Sequence, residues 1–193
     1  MKKSFNATTP RRISEKIADY CKELTGNEAS YHAVTPDSSS IVGLCFHNVE
    51  DHINQFGGEV QYGWAIWEFP NIFLTAEFHA VVNQDGKFID VTPQSLGEKR
   101  ILFTPSDSPK PTAFTENEFL PLVNHPMIEK FIQCQKGKQK LCADGSQGGV
   151  KHDSLDREAV SCMQKYHAEL NRRTKTKDLR SKRKAERRRK KRK

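Results

Sequence analysis

The chain has 193 residues, 35% of them hydrophobic, with a mean hydropathy of −0.76 and a formal net charge of +8. That length allows one compact domain plus appendages, and no stretch approaches the roughly 18 apolar residues that would span a bilayer. Residues 171–193 hold 15 Lys/Arg against two acids, net +13, and residues 1–170 are net −5, so the basic character belongs to the tail and gives no reason to read the body as nucleic-acid binding.

The N-terminal MKKSFNATTPRR has no apolar run behind its lysines, so no secretory signal is expected. Thr9 as N-cap and Pro10 at the first helical position predict a first helix, with Ile13, Ile17, Tyr20, Cys21 and Leu24 at helical spacing up to Gly26. Residues 27–43, with Pro36, Ser38-Ser39-Ser40 and Gly43, read as loop. A second helix is predicted over about Leu44 to Phe56, its stripe made of Phe46, Val49, Ile53 and Phe56, ended by Gly57-Gly58.

From Glu59 the composition turns to Val, Tyr, Trp and Ile, which suit a pleated, half-buried surface. One strand is expected over Glu59–Phe69 and a second over Phe73–Val82. Asp85-Gly86 is a strong signal for a tight hairpin into Phe88–Val91. Arg100–Phe103 predicts a further short strand. Thr115 with Glu118 resembles a capping box, and Pro126 starts a helix to about Gln139.

Gly145, Gly148 and Gly149 suggest a flexible linker, and the helical pattern resumes beyond Asp153 and runs into the tail. The expected division is a catalytic domain over 1–142, a linker over 143–152 and a helical extension over 153–193. The fold class is α+β, a nucleophile-bearing helix packed on a small antiparallel sheet with C-terminal helices.

Five cysteines at irregular spacing (Cys21, Cys45, Cys134, Cys142 and Cys162) read as reduced thiols in a cytoplasmic-type compartment. A catalytic thiol needs a site that favours its ionised form, such as a helix N-terminus beside an imidazolium, and a carboxylate that orients the imidazole. Cys45 falls at the predicted start of the second helix, His79 lies on a strand and Asp90 on the strand that returns to it. If Asp85 and Gly86 are the two turn residues, paired positions sum to 171. Asp90 is then a diagonal neighbour of His79 on the same face, within side-chain reach.

Cys45 at a helix start, His79-Ala80 on a strand, a Gly-containing turn, then Phe88-Ile89-Asp90-Val91-Thr92-Pro93 together resemble the transglutaminase-like branch of the papain-like cysteine enzymes. The resemblance covers roughly residues 40–95 and departs from the family at Val81, where a Trp often stands. It implies a papain-like or transglutaminase-like core with Cys45 as nucleophile, His79 as general acid/base and Asp90 as orienting group. It further implies a thiol hydrolase or acyl-transferase acting on the amide or thioester bond of a protein, peptide or other amide substrate, without a cofactor or metal. The oxyanion hole would use the Cys45 backbone N–H and a second donor left open among Trp64, Trp67 and Asn48.

Each residue also has a plain reading. Cys45 shares a helix stripe with Val49 and Ile53 and would serve as a small core hydrophobe. His79 alone would be a satisfied core histidine, and Asp90 would bond nearby backbone amides. His47 and His52 are five apart and do not share a helix face. Cys134, Cys142, His152, Cys162 and His167 have zinc-ligand chemistry without a tight Cys-x2–4-Cys knuckle. Glu68 and Glu77 are either exposed edges or substrate contacts.

In the tail, Arg183, Lys184, Arg187, Arg188, Arg189, Lys190, Lys191 and Arg192 form a block that can bury no apolar face. Such a block attracts phosphate in a salt-dependent, sequence-independent way. It would tether the body to RNA, DNA or a ribosome, or act as a nuclear address in a eukaryotic host. A non-catalytic, nucleic-acid-associated module on the same fold is the competing function, and a metal-dependent hydrolase using His79 with Asp90 is a third.

Overall fold

The computed structural model describes residues 7–145 and 149–190. Its frame is a long hairpin, β2 (Glu59–Phe69) and β3 (Phe73–Gln84), paired along its whole length from Glu59↔Asn83 to Phe69↔Phe73. β3 turns through Asp85 and Gly86 into β4 (Lys87–Ile89), both turn residues lying at positive φ, 52° and 82°. That pair of left-handed residues lets the turn twist with its strands. The pairs Gln84↔Lys87, Asn83↔Phe88 and Val82↔Ile89 follow the register expected from the sequence.

β5 (Arg100–Pro105) pairs with β2, and β1 (Ser30–Ala33) pairs with β5, so the order is β1-β5-β2-β3-β4. β6 (Glu118–Pro121) pairs with Phe73–Ala76 of β3. On its outer edge β3 is therefore paired by β6 at one end and by β4 at the other. Among the described residues, positions 77–81 have no strand partner there.

Three expectations are corrected. The segment 27–43 contains β1, not only loop. Glu118 begins strand β6 and caps no helix. The first helix, α1 (Glu15–Thr25), starts five residues after Pro10, with Ser14 as its N-cap. The reason lies upstream: Thr8 exchanges both backbone hydrogen bonds with Glu68, at 3.0 and 2.8 Å, and Thr9 Oγ1 donates to the Arg100 carbonyl at 2.8 Å. Those bonds hold the chain extended past Pro10.

α2 (Cys45–Phe56) lays Phe46, Val49 and Ile53 against Tyr62, Ala80 and Val82. α1 packs Ile17, Tyr20 and Cys21 against Ile66, Leu74, Ala76 and Leu102. Strand residues alternate between faces, so both helices cover one face of the hairpin. The other face carries His79 and Val81, with a smaller cluster of Val81, Ile101 and Phe103 joined by Trp67 and Phe88.

α3 (Pro126–Ala143), with Pro126 in its first turn, and α4 (Val150–Lys190) close the end of the hairpin. Ile128, Phe131 and Ile132 of α3 and Ala159, Cys162 and Met163 of α4 share one core with Ile72 and Phe73. Burying each large apolar side chain there contributes about 1.5–3 kcal/mol. α3 thus ends at Ala143, and α4 starts three residues before the expected position 153, its first half built into the fold.

The chain is α+β, and no helix among the described residues is long and apolar enough to cross a membrane. Lys191 and Arg192 of the basic block lie outside the described residues. For Arg183, Lys184, Arg187, Arg188, Arg189 and Lys190 the described part is the helical backbone alone.

Candidate active site

Three elements converge on the unpaired stretch of β3. His79 sits within it, opposite Gly63 of β2, and is 4% exposed. β4 ends at Ile89, and Asp90 then leaves the hairpin to bridge Val34: its N–H donates to the Ala33 carbonyl at 3.0 Å and its carbonyl accepts from Thr35 N at 2.8 Å. This departure directs the carboxylate at the histidine, and His79 Nε2 meets Asp90 Oδ1 at 3.1 Å.

Asp90 is fully buried, and its oxygens are well supplied with donors. Oδ1 also accepts from Thr92 N at 2.9 Å, and Oδ2 accepts from Gln94 Nε2 at 2.7 Å. A buried carboxylate is tolerable only with such partners. Gln94 completes the group and went unread in the sequence; its one signal there is its place directly after Thr92-Pro93.

Cys45 is the first residue of α2 and 9% exposed. Gly43, at φ 79°, turns the chain into the helix, and Leu44, the N-cap, makes no side-chain cap bond. The first-turn N–H groups are therefore left without a side-chain acceptor, as favours an anion at that end. The loop is fixed by Asn48, which is 2% exposed: its Oδ1 accepts from Ile41 N at 2.9 Å, and its Nδ2 donates to the Ile41 carbonyl at 2.8 Å and to Thr92 Oγ1 at 3.2 Å.

Cys45 and His79 line the same cleft, and the Cys45 side chain is among the groups that raise the proton affinity of the His79 ring. With Nε2 facing Asp90, Nδ1 is the ring nitrogen not used by the carboxylate. Burial disfavours the charged imidazolium and is the largest single influence. The favourable influence of the Asp90 bond and charge, with that of the nearby Cys45, outweighs it and holds His79 well above the ordinary histidine range. Elsewhere in the fold, burial pushes the Cys21 thiol up to about 11, and burial is also the first cause of the rise at Cys134.

Cys45 and His79 open into a cleft of about 400 Å³ whose lining includes Trp67, Glu77, Gln94 and Glu98. None of the three candidates for the second oxyanion donor is free in it. Both bonds of Asn48 Nδ2 are internal, and Trp67 Nε1 donates to Glu77 Oε2 at 3.0 Å. Trp64 packs with the α1 cluster on the opposite face. The remaining histidines have local roles: His47 pairs with Asp51 at 3.3 Å and His52 with Asp37 at 2.8 Å.

Cys134 and Cys162 are buried in the α3–α4 core, and among the described residues no group of three or more His, Cys, Asp or Glu is placed to hold a metal ion. Cys45, His79 and Asp90 are thus brought together, with Gln94, Thr92 and Asn48 around them. Compared with known proteins, the chain matches no family model, no curated protein and no solved structure.

Proposed function

We propose that this chain is a thiol-dependent hydrolase or acyl-transferase of amide or thioester bonds, built on a papain-like or transglutaminase-like core. One observation carries the reading: a fully buried carboxylate with three hydrogen bonds holds His79 by Nε2, and His79 lines one cleft with a cysteine at a helix start that has no side-chain cap. A core cysteine and a satisfied core histidine require neither the cleft nor this order of contacts.

In this reading Cys45 Sγ, as thiolate, attacks the substrate carbonyl carbon. A C–S bond forms and the carbonyl electron pair moves to oxygen, beside the first-turn N–H groups of α2. Collapse of the adduct expels the amine or thiol, which takes a proton from His79. Water then loses a proton to His79 and attacks the thioester, returning the thiolate. Asp90 holds the ring in one orientation and stabilises its charge throughout. The basic tail delivers this body to RNA, DNA or a ribosome in the cytoplasm or nucleus.

The test is alkylation of the native protein by iodoacetamide at about pH 6, with all five cysteines mapped by mass spectrometry. Cys142 is the more exposed thiol and Cys45 is buried, so exposure and nucleophilicity predict opposite orders. Faster labelling of Cys45, slowed by His79→Ala, supports the enzyme. Labelling of Cys142 ahead of Cys45 removes it and leaves the non-catalytic binding module.

A further inference from the structure

The cleft carries a charge that the proposed chemistry does not use. Glu77 lies two residues from His79 on the same face of β3, so the two backbone positions are about 7 Å apart. An exposed Glu in a strand otherwise largely buried from Phe73 to Val82 needs a reason. It is also held in place: Trp67 sits diagonally across the β2–β3 ladder, where Ala65↔Glu77 and Trp67↔Thr75 are the paired positions, and its Nε1 donates to Glu77 Oε2 at 3.0 Å. Oε1 meets no donor among the described residues. Glu98 adds a second carboxylate to the lining, and no Lys or Arg lines the cleft among the described residues.

We infer that Glu77 is a specificity-determining residue and that the acyl substrate carries a cationic side chain, Lys- or Arg-like, next to the reacting carbonyl. This rests on the thiol-acyl reading above and narrows its substrate class. Trp67 fixes one oxygen so that the other points its charge at the substrate without the entropy of a free glutamate. The alternative source of a cation is an amine that attacks the thioester. A carboxylate stabilises the ammonium form of such an amine and withholds the lone pair needed for attack. Glu77 therefore suits a bystander charge and not an attacking group.

The test compares two chloromethyl ketones that differ only by the terminal ammonium group, N-acetyl-lysine chloromethyl ketone and its norleucine analogue. Each forms a carbon–sulfur bond to Cys45 with loss of chloride, and each rate is normalised to that of iodoacetamide on the same variant. The lysine reagent is expected to react about fivefold faster, the factor given by one charge pair at about 4 Å in water. In Glu77→Gln, which keeps an acceptor for Trp67, the ratio should fall towards one.

Equal rates for the two reagents in the native protein overturn the inference. So does a preference that survives in Glu77→Gln, whatever Glu98→Gln does. Failure of iodoacetamide to single out Cys45 is a separate result that removes the thiol reading itself and the inference with it.

Discussion

Gly63 faces His79 across the β2–β3 ladder, and nothing larger than its hydrogen fits there. A Cβ at that position would lie 2.3 Å from the Thr104 carbonyl oxygen and 2.5 Å from Cζ of Phe103. The glycine therefore lets β5 close onto β2 directly behind the histidine. Gly63→Ala should destabilise the protein by about 3 kcal/mol, the upper range of overpacking, seen as a lower denaturant midpoint. Cys45 alkylation should fall with it, because a shifted β2 moves the strand that carries His79.

Asp90→Asn tests the orienting group. Asn can present its oxygen to His79 Nε2 and Thr92 N, but its amide nitrogen then faces Gln94 Nε2, donor against donor, where Oδ2 now accepts at 2.7 Å. Reversing Gln94 would lose its 3.2 Å bond to the Thr92 carbonyl. The variant should lose about 1–3 kcal/mol from the unmet pair and should alkylate at Cys45 at least about tenfold more slowly near pH 6, since His79 loses the charge that keeps it protonated.

The elevated proton affinity of His79 gives a signed pH effect. The folded protein binds this proton more tightly than the unfolded chain, whose histidine titrates near about 6.5. The stabilisation is therefore complete below that value and is lost as pH rises through the folded-state value. Chemical denaturation of the native protein and His79→Gln across that range should show the gap between them narrowing as pH increases.

Removal of residues 171–193 takes away 15 of the 32 Lys/Arg. Binding to duplex DNA should then lose its steep salt dependence, which is about 0.9 log units per log unit of salt for each phosphate neutralised. The iodoacetamide rate at Cys45 should stay unchanged. Filter binding at several salt concentrations, with parallel alkylation, reads both.

The parts legible in the sequence were those fixed by local chemistry. α2 ends at Phe56 where Gly57 follows, and the Asp85-Gly86 turn set the β3–β4 register as far as Ile89; the last step, in which Asp90 leaves the hairpin to bridge Val34 and meet His79, was not legible. What escaped was set by distant partners. β1 is four residues, Ser30-Tyr31-His32-Ala33, with no alternation to reveal it, and it is a strand only because β5 is beside it. Pro10 looked like a helix start until Glu68 and Arg100 claimed Thr8 and Thr9. Asn48 stood in the sequence as a candidate for the second oxyanion donor, and only the folded loop shows that Ile41 and Thr92 use it.

Asn48 also bears on how the site could work. One carboxamide joins the loop ahead of Cys45 to the segment just after Asp90, so the thiol end and the carboxylate end of the group share a common anchor. The entropy of aligning the two is lost once, when the chain folds, and not again at each turnover. At the outer rim of the cleft, by contrast, Val42 and Leu96 are about half exposed and share no such anchor among the described residues.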